Sequence, residues 1–293
     1  MSTNNNKEDN IEYKDKSRRY HEDANAGYIL PDDELENDRL HMQHYAIKLA
    51  FDGNYDAPVE EQLKQGITVL DGGCGPGPWT MDMAKAYPNS KFHGVDISDT
   101  FPNEIKPSNA EFQVHNITNP LPFPDNTFGL IHQRLLLMGL RKAEWQIVIE
   151  NYLKVLQPGG WFEFTESTPD LLNGGPNLTM LMGFSKLRDI ANMKGFDPEV
   201  YKVLGSLFKE AGADKVRSRQ LMTPVNHTNE SGALLWKDYK IMFTSMKPFV
   251  AKVHPDLANE EAYAKFIEET GEECKNYKTH FIFTRCYGQK PVN

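Results

Sequence analysis

Asp71 closes an apolar run, Ile67-Thr-Val-Leu70, and four glycines follow it within six residues: Gly72, Gly73, Gly75 and Gly77, ahead of Pro78 and Trp79. A buried strand that stops at a carboxylate and a tight turn opening a helix is a ligand site at the carboxyl edge of a parallel sheet. Two further details select the ligand. A dinucleotide fingerprint starting at Gly73 and Gly75 fails because its third glycine position holds Pro78. The phosphate-cradling pattern that spans Gly72 to Gly77 fails because Pro78 replaces the required lysine. Asp71 would also oppose a pyrophosphate, whereas it suits an ammonium. A ligand with an adenosine at one end and an amino acid at the other, such as S-adenosylmethionine (SAM), meets these conditions better than NAD or ATP.

The run VLDGGCGPG resembles the first motif of the class I SAM-dependent methyltransferases, and the later landmarks stand in that family's order. Lys91-Phe-His-Gly-Val-Asp96-Ile97 reads as a second strand ending in an acid. The resemblance implies that Asp96 accepts from both ribose hydroxyls, as two carboxylate oxygens can. Phe112-Gln-Val-His-Asn116-Ile117 reads as a third strand, with Asn116 where the family usually has an acid facing the adenine amine. Leu121-Pro-Phe-Pro-Asp-Asn-Thr-Phe128 leads into a fourth strand carrying His132 and Gln133, with Gly129 replacing a usual acid. Val155-Leu-Gln-Pro-Gly-Gly160 is similar to the turn before the fifth strand. Upstream, Tyr28-Ile-Leu-Pro31 and Glu36-Asn-Asp-Arg39-Leu-His-Met-Gln43-His44 are similar to the entry segment of fungal methyltransferases related to the secondary-metabolism regulator LaeA.

By this resemblance the cofactor-binding set is Tyr28, Asp71, Gly72, Gly73, Gly75, Asp96, Ile97, Asn116, Ile117, His132 and Gln133. Arg39, Gln43 and His44 belong to a lid folded over the cofactor. The sequence shows no catalytic signature. His132 is open to three roles: contact with the methionyl end, proton acceptor, or packing. Glu166, at the end of the fifth strand, is expected at the same rim, binding substrate, orienting a base or capping the segment beyond it. Cys74 reads as a small spacer in the loop, because a nucleophilic thiol needs an activating neighbour. His41 and His44 lack an evident third ligand, so no metal is expected.

The elements that must position these residues alternate strand and helix over residues 67–166, the pattern of a doubly wound sheet. The implied fold class is α/β: a Rossmann-like, seven-stranded mixed sheet with an N-terminal helical lid and helical capping insertions. Helices are predicted over 79–87, 144–156 and 198–211, and further strands over 215–223 and 278–287. Leu35, Leu40, Ile47 and Leu49 suggest the buried stripe of the lid helix, which Asp32 or Asp33 can cap. The expected organisation is a disordered tail (1–15), a lid (16–60), and a SAM-binding domain (61–293) with insertions near 172–195 and 230–274.

Composition excludes several classes of function. A net charge of −9 argues against a general nucleic-acid binder. Three cysteines without C-x-x-C spacing supply neither a disulfide framework nor a zinc site. No apolar run approaches the roughly 18 residues that span a bilayer, and the polar start lacks a secretory pattern. A cytoplasmic or nuclear location is therefore expected, without nucleic-acid or membrane partners. The expected partner is a small-molecule acceptor, with S-adenosylhomocysteine (SAH) as by-product. The alternative is a SAM-binding regulator acting through a protein partner.

Overall fold

The computed structural model describes residues 19, 31, 33–102, 105–182 and 195–292. The predicted tail over 1–15 and Tyr28 lie outside the described residues. In chain order the elements are α1 (Glu34–Phe51), α2 (Glu60–Gln65), β1 (Thr68–Gly72), α3 (Pro78–Ala86), β2 (Lys91–Asp96) and β3 (Ala110–Val114). There follow β4 (Phe128–Arg134), α4 (Glu144–Val155), β5 (Leu156–Leu172), α5 (Pro176–Met182) and α6 (Val200–Glu210). The chain closes with β6 (Asp214–Pro224), α7 (Glu230–Ser245), α8 (Lys247–Val253), α9 (Glu260–Tyr277) and β7 (His280–Gln289).

The seven strands form one sheet in the order β3-β2-β1-β4-β5-β7-β6. Strand β7 pairs antiparallel with both β5 and β6, and the pairs from β3 through β5 are parallel. The mixed seven-stranded sheet expected from the sequence is thus present. Strand order reverses between β1 and β4, and there a parallel sheet opens a crevice at its carboxyl edge.

Each sheet face carries its own core. On one, Leu70, Ile131, Phe162 and Phe164 meet Trp145, Val148, Ile149 and Tyr152 of α4 and Leu204 and Phe208 of α6. The α4 residues recur at the spacing of one helical face. On the other, Val69, Phe92, Leu130 and Trp161 meet Trp79, Met83 and Ala84 of α3. A third cluster joins Ala46, Ile47 and Phe51 of α1 to Leu178 and Leu181 of α5, Leu235, Trp236 and Phe243 of α7, and Tyr263 and Ile267 of α9. Strands β5 and β7 run on to the pairs Leu171↔Phe281 and Leu172↔His280, and Phe281 and Phe283 enter this third cluster. The helices of the predicted insertions are therefore tied to the sheet.

Helix α1 differs from expectation on its buried side. Asp33 does cap it, accepting from Glu36 N at 3.1 Å. However, Leu35 and Leu49 are each 48% exposed, and the buried positions are Glu36, Arg39, His44, Ala46, Ile47 and Phe51. The apolar stripe misleads because part of the inward face is an ion-pair network: Arg39 holds Glu36 and the buried Asp238 of α7.

Candidate functional site

The glycine turn after β1 is fastened to the next strand. Gly73 N and Cys74 N both donate to Val95 O, at 2.8 and 3.0 Å. Gly73, Gly75 and Gly77 have φ of +67°, +54° and +75°, a region that side chains with a Cβ disfavour. A Cβ on Gly73 would lie 2.6 Å from Leu136 Cδ1. Pro78 then begins α3, where its missing N–H costs nothing.

A cleft opens beside this turn, lined by Asp71, Gly73, Gly75, Asp96, Ile97, Asn116, Ile117 and His132 of the expected set. From the lid set only Gln43 reaches it, with Pro31, Glu36 and Leu40 as neighbours. Asp96 stands at the end of β2. Its Oδ2 accepts from Gly75 N at 2.8 Å and its Oδ1 from Ser98 N at 2.9 Å. A carboxylate has roughly four acceptor sites, so this geometry is compatible with further bonds to a diol.

Asp71 is buried and already partnered. Its Oδ2 accepts from Thr80 Oγ1 at 2.6 Å and its Oδ1 lies 2.8 Å from His132 Nδ1. Burial pushes the His132 imidazole below its usual pKa despite Asp71. A neutral ring must then place its proton on Nδ1 to donate to Asp71, leaving Nε2 bare. Nε2 is buried with no described hydrogen-bond partner. The ring lies flat on Trp79, with centroids 3.8 Å apart and planes 1° from parallel. Cys74 also lines the cleft, and burial drives its thiol well above the normal range.

Several expected residues have other tasks. Asn116 and Ile117 follow β3 instead of ending it. Asn116 Oδ1 accepts from Thr118 N at 3.0 Å and from Thr118 Oγ1 at 2.8 Å, closing a local turn. What Asn116 presents to a ligand is therefore its amide donor, not the acceptor that the adenine amine would need. Gln133 is buried and accepts from Tyr152 Oη at 3.0 Å, away from the cleft lining. Gly72 likewise serves packing: a Cβ there would lie 1.8 Å from Tyr152 Oη. Gly72→Ala is expected to destabilise the fold by about 1–3 kcal/mol through overpacking, measured as a lower urea midpoint at unchanged slope.

Glu166 is not a rim residue. It is fully buried, and its oxygens accept from Leu136 N at 2.9 Å and Leu137 N at 3.1 Å, fixing the turn that follows β4. Arg39 and His44 are buried beneath the cleft wall and do not line it. Sequence reading passes over Arg134, the last residue of β4, which does line it. It also passes over Glu163, whose Oε2 accepts from Asp56 N and Ala57 N, both at 2.7 Å, and so anchors the link between α1 and α2.

Burial raises Glu163 to about 7 and Glu166 to about 8, from 4.5. The folded chain therefore keeps these protons at pH values where the unfolded chain has lost them. Their contribution to stability is largest in mild acid and declines as pH rises from about 5 to about 8. Urea unfolding across that range should show the decline, and Glu163→Gln should make it shallower. An unchanged slope in that variant would assign the decline to other groups.

A sheet of this order, with Asp71 near the end of β1 and Asp96 closing β2 beside its switch point, is that of a class I methyltransferase. The methyltransferase-domain family matches residues 69–160. N-methyltransferase sirN of Leptosphaeria maculans is 30% identical over 212 residues, covering 71% of this chain and 74% of that protein. Methyltransferase str3 of Strobilurus tenacellus is 30% identical over 216 residues, covering 72% and 75%. The chain belongs to the class I, SAM-dependent methyltransferase family. It is also similar to the secondary metabolism regulator laeA of Aspergillus niger, 35% identical over 156 residues, which are 53% of this chain and 40% of that protein.

Proposed function

We propose that this protein binds SAM in the cleft and directs its methyl group to a small-molecule acceptor in fungal specialised metabolism. The observation that carries this reading is the roofing of the switch-point crevice. Helix α1 lies over the glycine turn, with Leu40 Cδ1 placed 3.6 Å from where a Gly75 Cβ would be, and is bound to α7 through Arg39 and Asp238. A covered crevice with Leu40, Leu135, Leu136 and Leu140 among its walls suits a small, partly apolar acceptor.

The residues present fit the cofactor. The glycine turn would give close backbone approach, Asp96 suits the ribose diol, Asn116 and Ile117 would border the adenine, and the bare Nε2 of His132 suits a methionyl ammonium. When bound, SAM supplies a methyl group on a sulfonium, activated for in-line displacement. The protein's share is alignment and exclusion of water, which contribute about 7–11 kcal/mol in well-oriented systems. A hydroxyl or ammonium acceptor would need a general base, an effect worth about 10²–10⁴-fold, and His132 Nε2 could supply it only where the methionyl ammonium leaves that nitrogen free. Calorimetric titration with SAM and with SAH tests the reading. Micromolar binding of both supports it and justifies acceptor screening with labelled SAM, whereas no binding of either defeats it.

The similarity to laeA and one surface observation favour a second reading, action through a protein partner. Leu35, Tyr45 and Leu49 place exposed apolar side chains along α1. A regulator predicts a stable complex lost when these three are changed to serine; a small-molecule enzyme predicts unchanged turnover in the same variant.

A further inference from the structure

We propose that Arg134 is the carboxylate-binding residue of the cleft and that His44 and Asp82 hold its guanidinium in position. For one of its two ligand sources this rests on the methyltransferase reading above. Among the described residues lining the cleft, Glu36, Asp71, Asp96 and Glu144 are carboxylates, and Arg134 is the sole lysine or arginine. The carboxylates have protein partners: Glu36 has Arg39, Asp71 has Thr80 and His132, Asp96 has the backbone of Gly75 and Ser98, and Glu144 has Arg141. No described carboxylate lies within ion-pair distance of Arg134.

What Arg134 does have is a neutral imidazole. Its Nη1 and Nη2 both lie 3.4 Å from His44 Nδ1. His44 Nε2 lies 3.2 Å from Asp82 Oδ2, so the ring carries its proton on Nε2 and turns the Nδ1 lone pair toward Arg134. Burial lowers His44 to about 4, keeping it uncharged beside the guanidinium. Asp82 is itself fixed by Lys48 Nζ at 2.6 Å and Asn54 Nδ2 at 2.8 Å. The chain Asp82–His44–Arg134 therefore orients a cation without neutralising it. Desolvation brings Arg134 down to about 10, still charged at neutral pH. Asp71 and Asp238 act on this charge through space, but neither lies within ion-pair distance, so the desolvated guanidinium has no direct counter-ion among the described residues, a cost that a ligand carboxylate would relieve. The planar fork matches a carboxylate in bidentate geometry. Two sources share this chemistry: the amino-acid end of the cofactor, and a carboxylic-acid acceptor.

The test titrates wild type, Arg134→Gln, Arg134→Lys and His44→Phe with SAH and with 5′-methylthioadenosine, which keeps the adenosine and thioether but lacks the amino acid. Benzoate binding is followed in parallel by saturation-transfer NMR, with and without SAH, and thermal melts confirm folding. If the cofactor's carboxylate is the ligand, Arg134→Gln weakens SAH at least tenfold and leaves methylthioadenosine within twofold. Arg134→Lys recovers part of that loss, and His44→Phe repeats it more weakly. If an acidic acceptor is the ligand, both nucleosides bind Arg134→Gln normally, and benzoate binds wild type but not the variant. Equal losses for SAH and methylthioadenosine, or no change in SAH and benzoate, overturn the proposal. Failure of SAH to bind wild type would instead defeat the cofactor reading, and the benzoate comparison would still decide the role of Arg134.

Discussion

Changing Asp96 to alanine should weaken SAM and SAH binding well beyond tenfold in calorimetric titration, a loss of more than about 1.4 kcal/mol. Two effects act together. A carboxylate that accepts from ribose hydroxyls makes charge-assisted bonds, roughly twice as strong as neutral ones. The same carboxylate accepts from Gly75 N and Ser98 N, so its removal also frees the turn on which the cofactor would lie. Asp96→Asn separates the two effects. The amide keeps one acceptor oxygen and replaces the other with a donor, which must face Gly75 N–H or Ser98 N–H. Its loss should therefore approach that of alanine if the turn dominates, and be clearly smaller if the diol does. Affinity within twofold of wild type in Asp96→Ala would refute the ribose assignment altogether.

The parts of the fold that were legible in the sequence follow local rules. Val69 and Leu70 ahead of Asp71, Pro78 after Gly77, and the Trp145–Val148–Ile149–Tyr152 spacing report strand, turn and helix without reference to the rest of the chain. The missed or misassigned parts depend on partners remote in sequence. Glu166 reads as a free carboxylate at a strand end until the turn at Leu136 and Leu137 folds back onto it. Gly72 and Gln133 belong to motifs that the family places at its cofactor, yet both are spent on Tyr152 of α4. Asn116 is diverted by a residue only two positions on, a competition that short polar side chains commonly win against distant ligands. Arg134 gave no signal because a lone arginine after a strand is ordinary; its meaning lies in the absence of a described carboxylate beside it. Helix α1 shows the largest gap, since periodicity counts apolar residues and its inward face is partly ionic.

That ionic face yields the other large effect. Arg39→Ala should destabilise the protein by about 3–5 kcal/mol, the cost of breaking a buried pair and stranding its partners. Arg39 Nε lies 2.8 Å from Glu36 Oε2, Nη2 lies 2.5 Å from Glu36 Oε1, and Nη1 bonds Asp238 Oδ1. All three side chains are 3% exposed or less. Without the guanidinium, the buried Asp238 is left with the Gln43 amide at 3.4 Å, and Glu36 loses the two bonds that Arg39 gives it. Burial already holds Asp238 above its ordinary carboxylate value against the pull of Arg39, so the variant should regain stability as pH falls and Asp238 takes up a proton. The triple change Arg39→Met, Glu36→Gln, Asp238→Asn removes the charges together and should recover most of the loss, because a buried ion pair contributes little net stability over neutral packing. Urea unfolding of the wild type, the single variant and the triple variant at two pH values measures each term. The comparison also bears on function: α1 would be a fixed wall of the cleft, its place set by a charge network, and not a lid that opens freely. If Arg39→Ala unfolded like wild type at neutral pH, the network would carry no weight and α1 would be held by its apolar contacts alone.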